Sequence, residues 1–205
     1  MRLFIKICGI RAAADLAGVL ACAPDAVGFV FWPRSPRAVT PEQVRKWTAP
    51  WPSGILRVGV FVDASPAETA RAADCARLDV LQLHGPGDIS PHRAAGRRIW
   101  QVRRLDEDAR ARNDIAAPDA YVLDSGGPAK PGGTGIPLDW DRAAAFVRAA
   151  DRPVVLAGGL TPDNVAEAVR RVTPWGVDVS SGVEASPGRK DLQKVAEFIR
   201  QCRAL

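Results

Sequence analysis

The sequence is poor in the residues that build metal cages, disulfide frameworks and membrane spans. Its 205 residues include only four cysteines and two histidines. Cys8, Cys22, Cys75 and Cys202 show no C-x-x-C spacing, and His84 and His92 are too few to complete a zinc cage. A chain that can bury a core of this size needs no disulfides, so four reduced thiols are expected. No stretch approaches the ~20 consecutive apolar residues of a bilayer-spanning helix. Lys6 stands where a secretory leader needs its apolar run. The expectation is a soluble, cytoplasmic protein with no membrane partner.

Stacking aromatics and lysines are also scarce. There is one tyrosine, and the 28 basic residues behind the net charge of +5 are nearly all arginine. They are scattered, clustering no more densely than pairs such as Arg97-Arg98 and Arg170-Arg171. Nucleic-acid surfaces concentrate charge on one face and interleave aromatics, so no nucleic-acid partner is expected. A mild positive field instead suits a small anionic substrate. The composition, 47% apolar and 25% charged, is that of an ordinary globular chain and excludes a disordered tail or a collagen-like fibre.

What is present is a repeat. Eight short apolar runs stand at Leu3–Cys8, Ala26–Phe31, Ile55–Val62, Val80–Leu83, Ile99–Val102, Ala120–Leu123, Pro153–Ala157 and Gly176–Val179. Most are continuous rather than alternating, as in parallel strands covered on both faces. Between them lie Ala-rich amphipathic stretches with helix start signals. Thr40-Pro41-Glu42-Gln43 and Ser65-Pro66-Ala67-Glu68 read as capping boxes, and Ser90-Pro91 and Thr161-Pro162 repeat their first half. The first three starts fall at 40, 65 and 90, a spacing that accommodates one strand, one loop and one helix. Further helices are predicted at about Ala12–Ala21, Glu107–Asn113, Asp139–Ala149 and Lys190–Arg203. With no Gly-x-Gly-x-x-Gly turn after the first strand, eight βα units predict one (β/α)8 TIM barrel spanning residues 1–205. An open flavodoxin-like sheet would leave three runs unexplained.

Such barrels place their chemistry where strands end. Glycine-rich turns follow the sixth, seventh and eighth strands: Gly132-Gly133-Thr134-Gly135, Gly158-Gly159 and Ser180-Ser181-Gly182. Three on neighbouring strands point to backbone N–H groups converging on a phosphate. Cys8 ends the first strand. It is a buried packing residue or a thiol at the mouth. Asp124 ends the sixth, either as a loop-capping carboxylate or as an acid whose pKa desolvation raises. Together they suggest acid–base work on a sugar phosphate, without naming the reaction.

The ordered blocks Lys6-Ile7-Cys8-Gly9-Ile10, Gly28-Phe29-Val30-Phe31 with Ser35-Pro36-Arg37, Val58-Gly59-Val60-Phe61 and Leu81-Gln82-Leu83-His84-Gly85 resemble phosphoribosylanthranilate isomerases. So do Gly132-Gly133-Thr134-Gly135, Leu156-Ala157-Gly158-Gly159-Leu160 with Asp163-Asn164-Val165, and Asp178-Val179-Ser180-Ser181-Gly182-Val183-Glu184. The resemblance covers essentially the whole chain. It implies an Amadori rearrangement of N-(5-phosphoribosyl)anthranilate in tryptophan biosynthesis, without metal or organic cofactor. By that resemblance Asp124 is the general acid and Cys8 the general base. Arg37 holds the substrate carboxylate, while His84 and Asp178 face the substrate. Gly135, Gly158, Gly159, Ser180, Ser181 and Gly182 bind phosphate. The substrate carries a phosphate and a carboxylate, and the protein is a monomer or a homodimer.

Other readings are a histidine-pathway isomerase, which would want an aspartate where Cys8 stands, and a non-catalytic phosphate-ligand barrel, which would have lost Cys8 or Asp124. The turns Cys22-Ala23-Pro24-Asp25 and Pro86-Gly87-Asp88 depart from the family pattern.

Overall fold

The computed structural model describes residues 2–85, 87–105, 117–125 and 139–205. The predicted helix at Glu107–Asn113 and the predicted phosphate residue Gly135 lie outside the described residues. Eight parallel strands close into a barrel in chain order: β1 (Phe4–Ile7), β2 (Ala26–Val30), β3 (Leu56–Val62), β4 (Val80–His84), β5 (Arg98–Arg104), β6 (Ala120–Asp124), β7 (Val154–Leu156) and β8 (Gly176–Val179). β1 pairs with β2 on one side and β8 on the other, which closes the ring. Each predicted apolar run overlaps one of these strands, and β4, β5 and β6 run past the predicted ends to His84, Arg104 and Asp124.

The continuous apolar runs have a physical cause, because both faces of each strand are dry. Outward residues such as Ile5, Ile7, Val27, Phe29, Leu81, Ile99, Leu156 and Val177 join one core with the surrounding helices. Inward residues Val58, Val80, Trp100, Val102, Val122 and Val155 form a second core inside the barrel. Phe4, Trp100 and Trp175 plug its N-terminal end. Phe4 stacks on Trp175 at 4.5 Å between centroids, and Trp100 sets its ring nearly perpendicular to both. Further toward the other end the inward positions become polar, with Lys6, Gln82, Asp124 and Asp178 all buried.

The helices are α1 (Ala13–Ala21), α2 (Pro41–Trp47), α3 (Pro66–Ala76), α4 (Trp140–Ala149), α5 (Val165–Val172) and α6 (Leu192–Arg203). Both predicted capping boxes form. Thr40 and Ser65 each accept from the backbone N–H three residues on, and Gln43 and Glu68 reach back to the cap N–H groups. Asp139 and Asp191 cap α4 and α6 in the same sense. α6 buries Val195, Phe198 and Ile199 against the barrel wall. Each such side chain contributes about 1.5–3 kcal/mol of burial.

Two helix starts differ from expectation. Ser90-Pro91 opens only a 3-10 turn, Ser90–Ala95. The Ser90 hydroxyl and N–H both donate to Asp88 at 2.7 and 2.9 Å, so the hydroxyl caps no helix. Gly96, at φ 63°, then turns the chain into β5 after six residues, too few for an α-helix to stand alone. Thr161-Pro162 does not place proline at the first helical position. α5 starts at Val165, and Asn164 accepts from the Thr161 N–H while donating to the Gly159 carbonyl. The asparagine therefore ties the start of α5 to the glycine turn after β7.

Candidate active site

The inward polar side chains open at the C-terminal ends of the strands into a cavity of about 740 Å³, solvent at its mouth included. Cys8, Arg37, His84, Asp124 and Asp178 all line it, as do Gly158, Gly159, Ser180 and Ser181. Gly182 does not. It sits behind, where a Cβ would overlap the Leu160 carbonyl, so its lack of a side chain lets the β7 and β8 loops touch. Trp32, Val30, Val60, Val62 and Leu160 add apolar wall.

Cys8 is the first residue past β1, buried, with its N–H donating to the Val179 carbonyl at 2.8 Å. Burial pushes its thiol up, and the nearby Asp178 carboxylate adds to that. Lys6 opposes both with its positive charge. Lys6 shares the inward face of β1 with Cys8, two residues apart. Its side chain is wholly buried and its Nζ lies 2.6 Å from Asp178 Oδ2. Burial alone would discharge the ammonium, but the negative charges of Asp178 and Cys8 outweigh it and hold its pKa up. Gly28 on β2 makes room for this group. A Cβ there would stand 2.7 Å from Cys8 Sγ and 3.0 Å from Lys6 Cε. The second oxygen of Asp178 is buried, and none of the described residues donates to it. It can accept from a ligand hydroxyl in the cavity.

Asp124 ends β6 on the far side of the same cavity. His84 ends β4, 3.2 Å from Gln82 between Nε2 and Nε2. Burial first, and then the charges of Lys6 and Arg104, lower its pKa to about 3. The imidazole is neutral across the physiological range and serves as a hydrogen-bonding group rather than an acid.

Gly158 and Gly159 both adopt left-handed φ, 83° and 67°. The backbone N–H groups of Gly158, Gly159, Ser180 and Ser181 donate to none of the described residues. These four residues follow two neighbouring strands and line the same cavity, an arrangement suited to an oxyanion. Arg37 comes from the loop after β2 and lies beside Ser180 across Gly9, where a Cβ would stand 2.6 Å from Arg37 Cδ and 2.9 Å from Ser180 Oγ. Its N–H donates to Ser35 Oγ, and its guanidinium grips Glu184 through Nε at 2.7 Å and Nη2 at 2.8 Å. Glu184 also accepts from the buried Lys190. Among the described residues no group of three His, Cys, Asp or Glu side chains is placed to hold a metal ion.

The site therefore gathers every described candidate from the sequence except Gly182 around one cavity. Lys6, Gln82, Glu184 and Lys190 were missed. For Lys6 a signal existed, a lysine with the same strand parity as Cys8 inside an apolar run.

A closed barrel carrying a polar, glycine-edged cavity at its C-terminal mouth defines a (β/α)8-barrel enzyme. The sequence matches the family described as N-(5'phosphoribosyl)anthranilate (PRA) isomerase over residues 5–201. It is 44% identical over 207 residues to the N-(5'-phosphoribosyl)anthranilate isomerase of Thiobacillus denitrificans, covering 100% of both chains. It is 45% identical over 199 residues to that of Pelobacter propionicus, covering 96% of this chain and 93% of the relative. The crystal structure of phosphoribosyl anthranilate isomerase from Thermotoga maritima superposes with a TM-score of 0.86 at 33% identity, covering 99% of this chain and 100% of that one. A structure of a phosphoribosyl anthranilate isomerase in complex with reduced 1-(o-carboxyphenylamino)-1-deoxyribulose 5-phosphate gives a TM-score of 0.83 at 32% identity, with 99% and 100% coverage. The chain belongs to the N-(5'-phosphoribosyl)anthranilate isomerase family, the isomerases of tryptophan biosynthesis.

Proposed function

We propose that the chain converts N-(5'-phosphoribosyl)anthranilate to 1-(2-carboxyphenylamino)-1-deoxyribulose 5-phosphate with Asp124 as general acid and Cys8 as general base. The observation that carries this reading is that Cys8, just past β1, and Asp124, at the end of β6, line one cavity. Asp124 gives its proton to the ribose ring oxygen as the C1′–O bond breaks, and the anthranilate nitrogen lone pair forms an iminium at C1′. The Cys8 thiolate then removes the C2′ proton. The C2′–H electrons form the C1′=C2′ bond, and the iminium π electrons return to nitrogen. The resulting enolamine loses its C2′ hydroxyl proton and gains a proton at C1′, giving the ketone.

The surrounding groups support each step. The Lys6 charge favours the thiolate that the base step needs. The open oxygen of Asp178 suits a sugar hydroxyl. Neutral His84 lines the sugar without competing for protons. The phosphate is read onto the N–H groups of Gly158, Gly159, Ser180 and Ser181, with Gly182 shaping the loop. Arg37 is read as the clamp on the anthranilate carboxylate. The reaction uses no cofactor in this reading, and the chain works as a monomer or homodimer in the cytoplasm.

The test is loss of substrate fluorescence on mixing with purified protein. Turnover is expected, and Cys8→Ser and Asp124→Asn are each expected to lower kcat by about 10²–10⁴-fold with an unchanged circular dichroism spectrum. Near-normal rates in both variants would overturn the role assignment.

A further inference from the structure

One buried cluster beside the cavity holds neither the acid nor the base of the proposed reaction, although the charge of Lys190 reaches Cys8 and favours its thiolate. After β8 the chain forms a small hairpin, β9 (Glu184–Ser186) and β10 (Arg189–Lys190), which brings Glu184 and Lys190 together. The side chains of Glu184 and Lys190 are 4% and 0% exposed. Glu184 accepts from Arg37 Nε and Nη2, and its Oε1 lies 3.0 Å from Lys190 Nζ. Lys190 also donates to the Ser180 carbonyl at 3.0 Å, which connects the cluster to the glycine-edged wall.

Burying three charges costs desolvation, and such clusters are weak devices for stability alone. Their geometry is informative. A two-pronged grip fixes the plane of a guanidinium as well as its position. Here it occupies only the Nε–Nη2 edge, and Nη1 donates to none of the described residues. The arginine stem lies over Gly9, where a Cβ would stand 2.6 Å from Arg37 Cδ. Arg37 is therefore held from one side and from below, and it lines the cavity. Two cations and one anion leave the cluster one net positive charge.

We propose that Glu184 is a positioning residue for substrate selection, orienting Arg37 so that its Nη1 end meets the aromatic carboxylate, while Lys190 offsets the negative charge of Glu184. The inference rests on the reading of Arg37 as the carboxylate clamp. Selectivity for a carboxylated aromatic amine then depends on a residue that never touches the substrate.

The experiment compares N-(5'-phosphoribosyl)anthranilate with N-(5'-phosphoribosyl)aniline, which lacks the carboxylate, following both products by chromatography. Arg37→Ala is expected to raise KM for the anthranilate about 10–100-fold, as for loss of a charge-assisted contact, and to raise KM for the aniline far less. Glu184→Gln is expected to raise KM for the anthranilate about 5–10-fold with kcat nearly unchanged, again sparing the aniline. In the Arg37→Ala background it adds nothing. Glu184→Ala strips Lys190 of its carboxylate and risks unfolding, so Glu184→Gln, which keeps an acceptor oxygen, is the deciding variant. If Arg37→Ala impairs both substrates equally, the clamp reading falls and the positioning role falls with it. If Arg37→Ala is selective but Glu184→Gln slows both substrates alike, or has full effect without Arg37, only the positioning role is overturned.

Discussion

Lys6 and Asp178 face each other across one rung of the β1–β8 ladder, ammonium to carboxylate at 2.6 Å, with the lysine side chain wholly out of solvent. Removing either partner strands a charge inside the barrel. Lys6→Met and Asp178→Asn are each expected to destabilise the fold by about 3–5 kcal/mol. The double variant should be less destabilised than the sum, because it strands no charge. Urea denaturation of the four proteins checks this, and strict additivity would count against a coupled pair.

The same ammonium acts on Cys8. Burial disfavours the thiolate, so the folded thiol titrates above its ordinary range, and Lys6 limits that rise. Below its pKa the thiolate fraction grows tenfold per pH unit. Alkylation of Cys8 by iodoacetamide is therefore expected to accelerate by about that factor per unit through neutrality, without a plateau below pH 9. In Lys6→Met the whole profile moves to higher pH. Peptide mass spectrometry separates Cys8 from Cys22, Cys75 and Cys202. A plateau below pH 7 would show that the positive charges outweigh burial.

His84 gives the fold an acid-side weakness. Its folded pKa of about 3 lies below the ordinary value of 6.5, so below pH 6.5 the unfolded chain takes up a proton that the folded chain refuses. The resulting stability is full above pH 6.5 and declines as pH falls toward 3. By pH 4 the loss is about 2–3 kcal/mol, once the partial exposure of the residue is allowed for. Thermal melts from pH 7 to 4 should show a shallower decline in His84→Asn than in the parent chain. Parallel declines would place the acid sensitivity elsewhere.

These partnerships also mark where the sequence stops being readable. The strands were legible because a closed parallel barrel keeps both strand faces dry, and α2 and α3 because Thr40–Gln43 and Ser65–Glu68 are local signals. Ser90-Pro91 misled because its hydroxyl had a competitor in Asp88 two residues away. Cys8 and Asp124 could be placed at the mouth by strand position alone. Glu184 was not read as Arg37's partner, nor Asp178 as Lys6's, because the two pairs are 147 and 172 residues apart in sequence. A buried charge shows its purpose only through its partner, and pairings at that distance exist only once the barrel has closed.

The two ends of the barrel are expected to answer separately to mutation. Trp100 lies 5.7 Å from Phe4 and 6.3 Å from Trp175 between ring centroids, among the residues that plug the N-terminal end. The cavity is built from the opposite strand ends. Trp100→Ala opens a hole in a buried aromatic cluster and should cost about 3–5 kcal/mol. Trp100→Phe, which refills part of that volume, should cost clearly less. At temperatures where both variants remain folded, KM and kcat should stay within about twofold of the parent, because the intervening layer of Val58, Val80, Val122 and Val155 is packed and apolar. Denaturant melts paired with steady-state kinetics separate the two effects. A large change in kcat without a matching loss of stability would mean that the plug and the mouth are mechanically coupled through that layer.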